Sequence, residues 1–164
     1  MIRLVLYQPD IPQNAGTLMR TAACLGLGVE IVEPAGFDVT DRHLRRSGLD
    51  YLDRVAITRH RSFGAFEAWR GEAGLRLVLA TTAGGLPYTD FAFRPGDCLM
   101  VGRESAGVPD AVHAAADARV VVPMRTGLRS LNVAVAAAMI AGEALRQTGG
   151  WPTGACEPNG RPSA

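Results

Sequence analysis

"IRLVLYQPDIPQNAGTLMRTAACLGLGVEIVE" (Ile2–Glu33) decides the architecture of the chain. It opens on an apolar, β-branched run (Ile2–Tyr7) and crosses a polar loop. A helical pattern follows (Ala15–Leu25), and then a second β-branched run (Val29–Glu33). Neither run alternates strictly between apolar and polar residues. That is the pattern of strands covered on both faces, as in a parallel sheet.

The alternation continues along the chain. Arg76–Thr81, Cys98–Gly102 and Arg119–Pro123 read as further strands, with a possible one near Val55–Thr58. Helical patterns lie at Thr40–Ser47, Ser62–Arg70, Pro109–Ala116 and Ser130–Gln147. Strands alternating with helices predict an α/β domain: a mostly parallel sheet with helices on both faces, spanning residues 1–150. Residues 151–164 are rich in Gly and Pro without periodicity and read as a tail.

In such a sheet ligands bind beyond the carboxyl ends of the strands, where loops meet helix N-termini. The loops there are "QPDIPQNAGTLMR", "TTAGGLPY", "GRESAGVPD" and "PMRTGLRSLN", and they concentrate glycine and polar residues. No GxGxxG follows a strand, no HExxH occurs, and a Walker loop is impossible without lysine. "GRESAG" lacks the glycine two residues before Ser105 that a nucleophile elbow needs.

The net charge of +1 gives no global sign of a polyanionic partner, but all 17 basic residues are arginine. Arg42, Arg45, Arg46, Arg54, Arg59 and Arg61 crowd into one stretch. Taken alone the cluster reads as a solvated face, although the planar guanidinium also suits phosphate. Cys24, Cys98 and Cys156 form no CxxC pair and have no metal spacing with the histidines. A reduced, cytoplasmic protein without a metal is expected. Met1 leads directly into a strand-like segment, so no signal peptide is expected. The run Val133–Gly142 is shorter than the about 20 apolar residues that span a bilayer.

"IPQNAGTLMRTAACLG" (Ile11–Gly26), "LMVGRESAGVP" (Leu99–Pro109) and "VVVPMRTGLRSLNVAVAAAMIAGEALRQ" (Val120–Gln147) resemble, in order, the three motifs of the SpoU-type RNA ribose 2′-O-methyltransferases. "LYQPDIPQNAG", "VEPAGF" (Val32–Phe37) and "LRRSGLDY" (Leu44–Tyr51) are similar to the small, single-domain members that act on the tRNA wobble nucleotide, cytidine or uridine 34. The resemblance implies a C-terminal trefoil knot, S-adenosylmethionine as methyl donor with S-adenosylhomocysteine as product, the tRNA anticodon loop as substrate, and a homodimer. Nothing in the periodicity predicts a knot.

Carried residue by residue, the resemblance gives Arg20, Asn14, Glu104, Ser130 and Asn132 as the catalytic set. Ala80, Gly102, Val122, Met124, Ser130 and Leu131 become the cofactor slot. Arg42, Arg45, Arg46, Arg59 and Arg129 are the candidates for RNA phosphate. Arg20 is a poor general base, because guanidinium is effectively never deprotonated in proteins. Phosphate binding and stabilisation of charge developing on the 2′-oxygen suit it better. Read from residue type alone, Asn14 and Ser130 are helix N-caps, Glu104 a surface carboxylate, and Ala80 and Val122 plain strand residues. The helix from Ser130 has no polar face, which predicts burial on every side and a dimer contact. Two alternatives stay open: the same chemistry on another tRNA position or on rRNA, and a non-catalytic RNA-binding protein of this fold.

Overall fold

The computed structural model describes residues 1–37 and 55–153. β1 (Arg3–Tyr7) is an interior strand, whose Leu4 and Leu6 join one buried cluster while Val5 and Tyr7 join the other. A strand with both faces in a core has no reason to alternate, which accounts for its sequence pattern.

α1 (Pro12–Leu25) follows, with Ala15, Leu18, Met19 and Ala22 buried at helical spacing. It starts three residues earlier than its pattern suggested, because Pro12 fits the first helical turn where no N–H bond is needed. It stops at Gly26, whose left-handed backbone (φ 67°) lets its N–H return to the Ala22 carbonyl.

β2 (Gly28–Val32), β3 (Ile57–His60), α2 (Phe63–Glu72), β4 (Leu77–Ala80), β5 (Leu86–Pro87), β6 (Cys98–Val101), α3 (Asp110–Ala115), β7 (Ala118–Val121) and α4 (Val133–Thr148) complete the described elements. The sheet runs β3-β2-β1-β6-β4-β7-β5, and every neighbouring pair is parallel. All carboxyl ends therefore open on one side. β5 was not anticipated: two residues inside a glycine-rich loop carry no periodic signal. The helix expected at Thr40–Ser47 and the tail from residue 154 lie outside the described residues.

One face of the sheet is covered by α1 and α4, the other by α2 and α3. β2 also buries Glu30 completely. Its two oxygens accept from Arg3 Nη1 and meet His60 Nε2, each at 2.7 Å. A carboxylate can remain in a core only with such partners.

α4 departs from two expectations. It starts at Val133, because the cap is Asn132, whose Oδ1 accepts from the N–H groups of Ala134 and Val135. Ser130 lies outside the helix, in an exposed stretch of loop. Nor is the helix buried all round. Ala134, Ala137, Ile140, Ala141, Ala144 and Leu145 face the core, but Val135 and Met139, one turn apart, stay 51% and 39% exposed. An apolar residue type does not by itself bury a face; among the described residues nothing covers this one.

Candidate active site

The loops leaving β1, β4, β6 and β7 enclose a cleft of about 640 Å³, within the size range of small-molecule sites. Ala80, Gly102, Val122, Met124, Ser130 and Leu131 all line it, as do Asn14, Glu104, Arg129 and Asn132. Segments more than a hundred residues apart in sequence thus meet because the parallel sheet delivers their loops to one edge.

Gly102 is required for a steric reason. A Cβ there would lie 2.6 Å from the Gly107 carbonyl carbon and 2.9 Å from its Cα. The turn between them is closed by Arg103 N–H to Gly107 O (3.0 Å) and Gly107 N–H to Arg103 O (2.8 Å). The backbone beside Gly102 is thereby left open towards the cleft. Across from it, Thr81 N–H donates to Val120 O at 3.0 Å, tying the start of the loop after β4 to β7.

Asn14 lies in the first turn of α1 and is not its cap; that position belongs to Ile11, whose side chain makes no bond. Freed from capping, Asn14 Oδ1 accepts from Asn132 Nδ2 at 3.0 Å. Glu104 stands beside Asn14 and the carboxylate of Asp10. Burial, and then the Asp10 carboxylate, push the Glu104 carboxyl above its ordinary value. Asp10 is held well below the usual carboxylate range, first by the Glu104 side chain and then, against the effect of burial, by the Ser105 hydroxyl. Glu104 Oε2 is buried and no donor reaches it, whereas a proton on this carboxyl gives Asp10 a donor.

Arg20 does not line the cleft. It lies on the exposed side of α1, outside the wall that Asn14 forms. Arg59 is exposed on β3, where its Nε donates to Glu33 Oε1 at 2.6 Å, so a phosphate there would compete with a carboxylate. Arg42, Arg45 and Arg46 lie outside the described residues. Sequence reasoning missed Asp10 and His113, whose buried Nδ1 has no hydrogen-bond partner at the cleft wall. Asp10 had one legible signal, its place in the loop leaving β1. His113 had none, since a lone histidine on a short helix is indistinguishable from a surface residue.

Residues 1–142 match the SpoU rRNA Methylase family. The chain belongs to the SpoU methylase family. Among SpoU relatives, a tRNA (cytidine(34)-2′-O)-methyltransferase from Beijerinckia indica is 68% identical over 146 residues, covering 89% of this chain and 91% of the relative. One of the same name from Escherichia coli K12 is 38% identical, covering 91% and 95%. A solved structure concerned with 2-OH methylation of C/U34 on tRNA superposes with a TM-score of 0.85 at 43% identity, covering 90% of this chain and 95% of that one. The SpoU methyltransferase AviRb from Streptomyces viridochromogenes, solved with AdoMet, gives 0.81 at 33%, covering 88% and 59%. These likenesses extend over the α/β sheet and its flanking helices. No helix among the described residues is long and apolar enough to cross a membrane, and among them no group of three or more His, Cys, Asp or Glu is placed to hold a metal.

Proposed function

We propose that this SpoU protein is a cytoplasmic tRNA methyltransferase that uses S-adenosylmethionine to methylate the ribose 2′-hydroxyl of the wobble nucleotide, cytidine or uridine 34. One observation carries the reading: Asn14, Glu104, Ser130 and Asn132 converge on one cleft of cofactor size. They do so in a chain 68% identical to a tRNA (cytidine(34)-2′-O)-methyltransferase. The cleft fits the cofactor in volume, in the open backbone beside Gly102, and in the two buried polar atoms with no protein partner, Glu104 Oε2 and His113 Nδ1.

Bound S-adenosylmethionine supplies an electrophilic methyl group on a sulfonium. The chain's task is to align the ribose oxygen in line with that methyl and to ease departure of the hydroxyl proton. Main chain at Ala80, Gly102, Val122 and Met124 would hold the adenine, with Leu131 available to pack on it. Ser130 faces the cofactor or the reacting hydroxyl. Glu104, Asn14 and Asn132 keep the β1, β6 and β7 loops in register around it. Arg20, outside the cofactor cleft, meets the neighbouring phosphate and the negative charge growing on the 2′-oxygen. Arg42, Arg45, Arg46, Arg59 and Arg129 contribute phosphate contacts, which give affinity rather than sequence identity.

The reading includes residues 1–150 as one catalytic domain with the C-terminal segment knotted, residues 151–164 as a tail, and a homodimer that covers Val135 and Met139. The test has two arms. S-adenosylmethionine should raise the melting temperature in a dose-dependent way. Purified protein should restore the 2′-O-methyl group at nucleotide 34 of tRNA from a strain lacking it, as read by nuclease digestion and mass spectrometry. Arg20→Ala should abolish that transfer while the thermal shift persists, because Arg20 stands outside the cofactor cleft. Transfer to another nucleotide alone, or none with bound cofactor, overturns the assignment.

A further inference from the structure

We propose that Asp10 is a positioning residue of the methyl-transfer site, one that fastens the Gly102–Gly107 turn to the head of α1 and so sets where Glu104 stands against Asn14. The proposal rests on the function argued above. Asp10 belongs to the loop between β1 and α1, two residues before Pro12, and the structure gives it contacts to three consecutive residues of the opposing turn. Its Oδ1 accepts from the Glu104 backbone N–H at 3.1 Å. Its Oδ2 accepts from the Ser105 hydroxyl and lies 3.7 Å from Arg103 Nε. Only 16% of the Asp10 side chain is exposed. A surface carboxylate has no reason to be tied down in this way.

The consequence follows along a chain of contacts. Asp10 holds the backbone at Glu104, the Glu104 carboxyl stands beside Asn14, and Asn14 accepts from Asn132. Three loops that the fold brings to one edge are thereby locked together by side chains, and Asp10 is the outermost link. The opposite shifts of the two acids support this, since the Glu104 side chain lowers the Asp10 carboxyl and the Asp10 side chain raises that of Glu104. Asp10 does not line the cleft, so its effect on reaction passes through the residues that do. The turn is also closed by the paired backbone bonds between Arg103 and Gly107. Cofactor binding should therefore survive loss of Asp10 while alignment suffers.

The experiment compares wild type, Asp10→Ala, Ser105→Ala and the double variant, reading kcat on tRNA, affinity for S-adenosylmethionine and melting temperature. Asp10→Ala should lower kcat about tenfold or more, as small misplacements of reacting groups do. Affinity for S-adenosylmethionine should change less than about threefold. Ser105→Ala should cost a smaller factor, and adding it to Asp10→Ala should cost nothing further, because the hydroxyl acts through the same carboxylate. Should Asp10→Ala fail to fold, Asp10→Asn, which keeps an acceptor but loses the charge, carries the same comparisons. Unchanged kcat, a loss of cofactor affinity equal to the loss of kcat, or independent multiplication of the two effects each overturns the proposal. Wild-type protein that transfers no methyl group to tRNA overturns the proposed function as well; wild-type turnover with an unaltered Asp10 variant overturns the role of Asp10 alone.

Discussion

Asn132 Nδ2 donates to Asn14 Oδ1 across 3.0 Å, joining two residues 118 positions apart in the chain. The same Asn132 turns its Oδ1 to the N–H groups of Ala134 and Val135 and caps α4. One side chain thus uses its acceptor for the helix and its donor for the site, a division that the two ends of an amide allow.

That division can be separated by mutation. Asn132→Asp keeps the capping oxygen but has no N–H for Asn14, so stability should stay within about 0.5 kcal/mol while turnover falls. Asn132→Ala should lose turnover and about 1 kcal/mol of stability as well. Urea denaturation beside a methyl-transfer assay reads both. Equal stability losses in the two variants would show that the cap is not what Asn132 contributes to the fold.

Gly102→Ala should damage the cleft more than the fold. A Cβ 2.6 Å from the Gly107 carbonyl carbon meets backbone, which cannot rotate away as a side chain does. The turn must open, at a cost of about 1–3 kcal/mol typical of overpacking. Affinity for S-adenosylmethionine, measured by calorimetry, should fall by a factor of about 5 to 150 by the same arithmetic. Gly71→Ala is the control, since nothing lies within 4 Å of the Cβ it would gain. Cofactor affinity equal in the two variants would show that the Gly102 backbone is not a cofactor wall.

These residues mark how far the sequence was legible. The sheet was, because Leu4 and Leu6 on one side and Val5 and Tyr7 on the other produce the unbroken apolar run of a strand buried on both faces. The residues that motif resemblance assigns to the cofactor line one cleft, although residue type alone made Ala80 and Val122 ordinary strand residues. Capping was misassigned at both helices. Asn14 and Ser130 are good caps in isolation, and a local rule cannot register that Asn14 is claimed by a residue at the far end of the chain. Asp10 and the buried Glu30 escaped for the same reason: a carboxylate's partners are set by sheet order, and the sequence does not display sheet order.

The Glu104 carboxyl gives a pH signature. Burial and the Asp10 carboxylate raise its proton affinity in the folded state. Its contribution to stability is therefore complete below the ordinary glutamate value of 4.5 and is lost as pH rises through the raised folded value. Asp10 has the opposite sign: its folded value is depressed, so its contribution stands above the ordinary aspartate range and is lost only in strong acid. Glu104→Gln keeps a neutral donor beside Asp10 at every pH. Wild type and this variant should have similar urea midpoints below the ordinary glutamate value of 4.5. Wild type should fall behind as pH rises through the raised Glu104 value. Parallel stability curves across that range would show that no proton is held between Asp10 and Glu104.

The exposed pair on α4 tests the assembly. Val135 and Met139 lie four residues apart, one turn of the helix, and present an apolar strip beside the capped, site-bearing end of α4. Solvent-exposed residues of this kind on a helix otherwise packed into the core are what an interface between two copies would cover. Val135→Glu with Met139→Glu places two carboxylates where a dimer needs apolar contact. Each is fully hydrated in a monomer and costs several kcal/mol when buried unpaired. Analytical ultracentrifugation should show wild type as a dimer and the double variant as a folded monomer, with circular dichroism unchanged. Turnover should be lost together with the dimer, because the strip begins three residues after Asn132. A double variant that stays dimeric, or a wild type that sediments as a monomer, would leave this face without the role assigned to it.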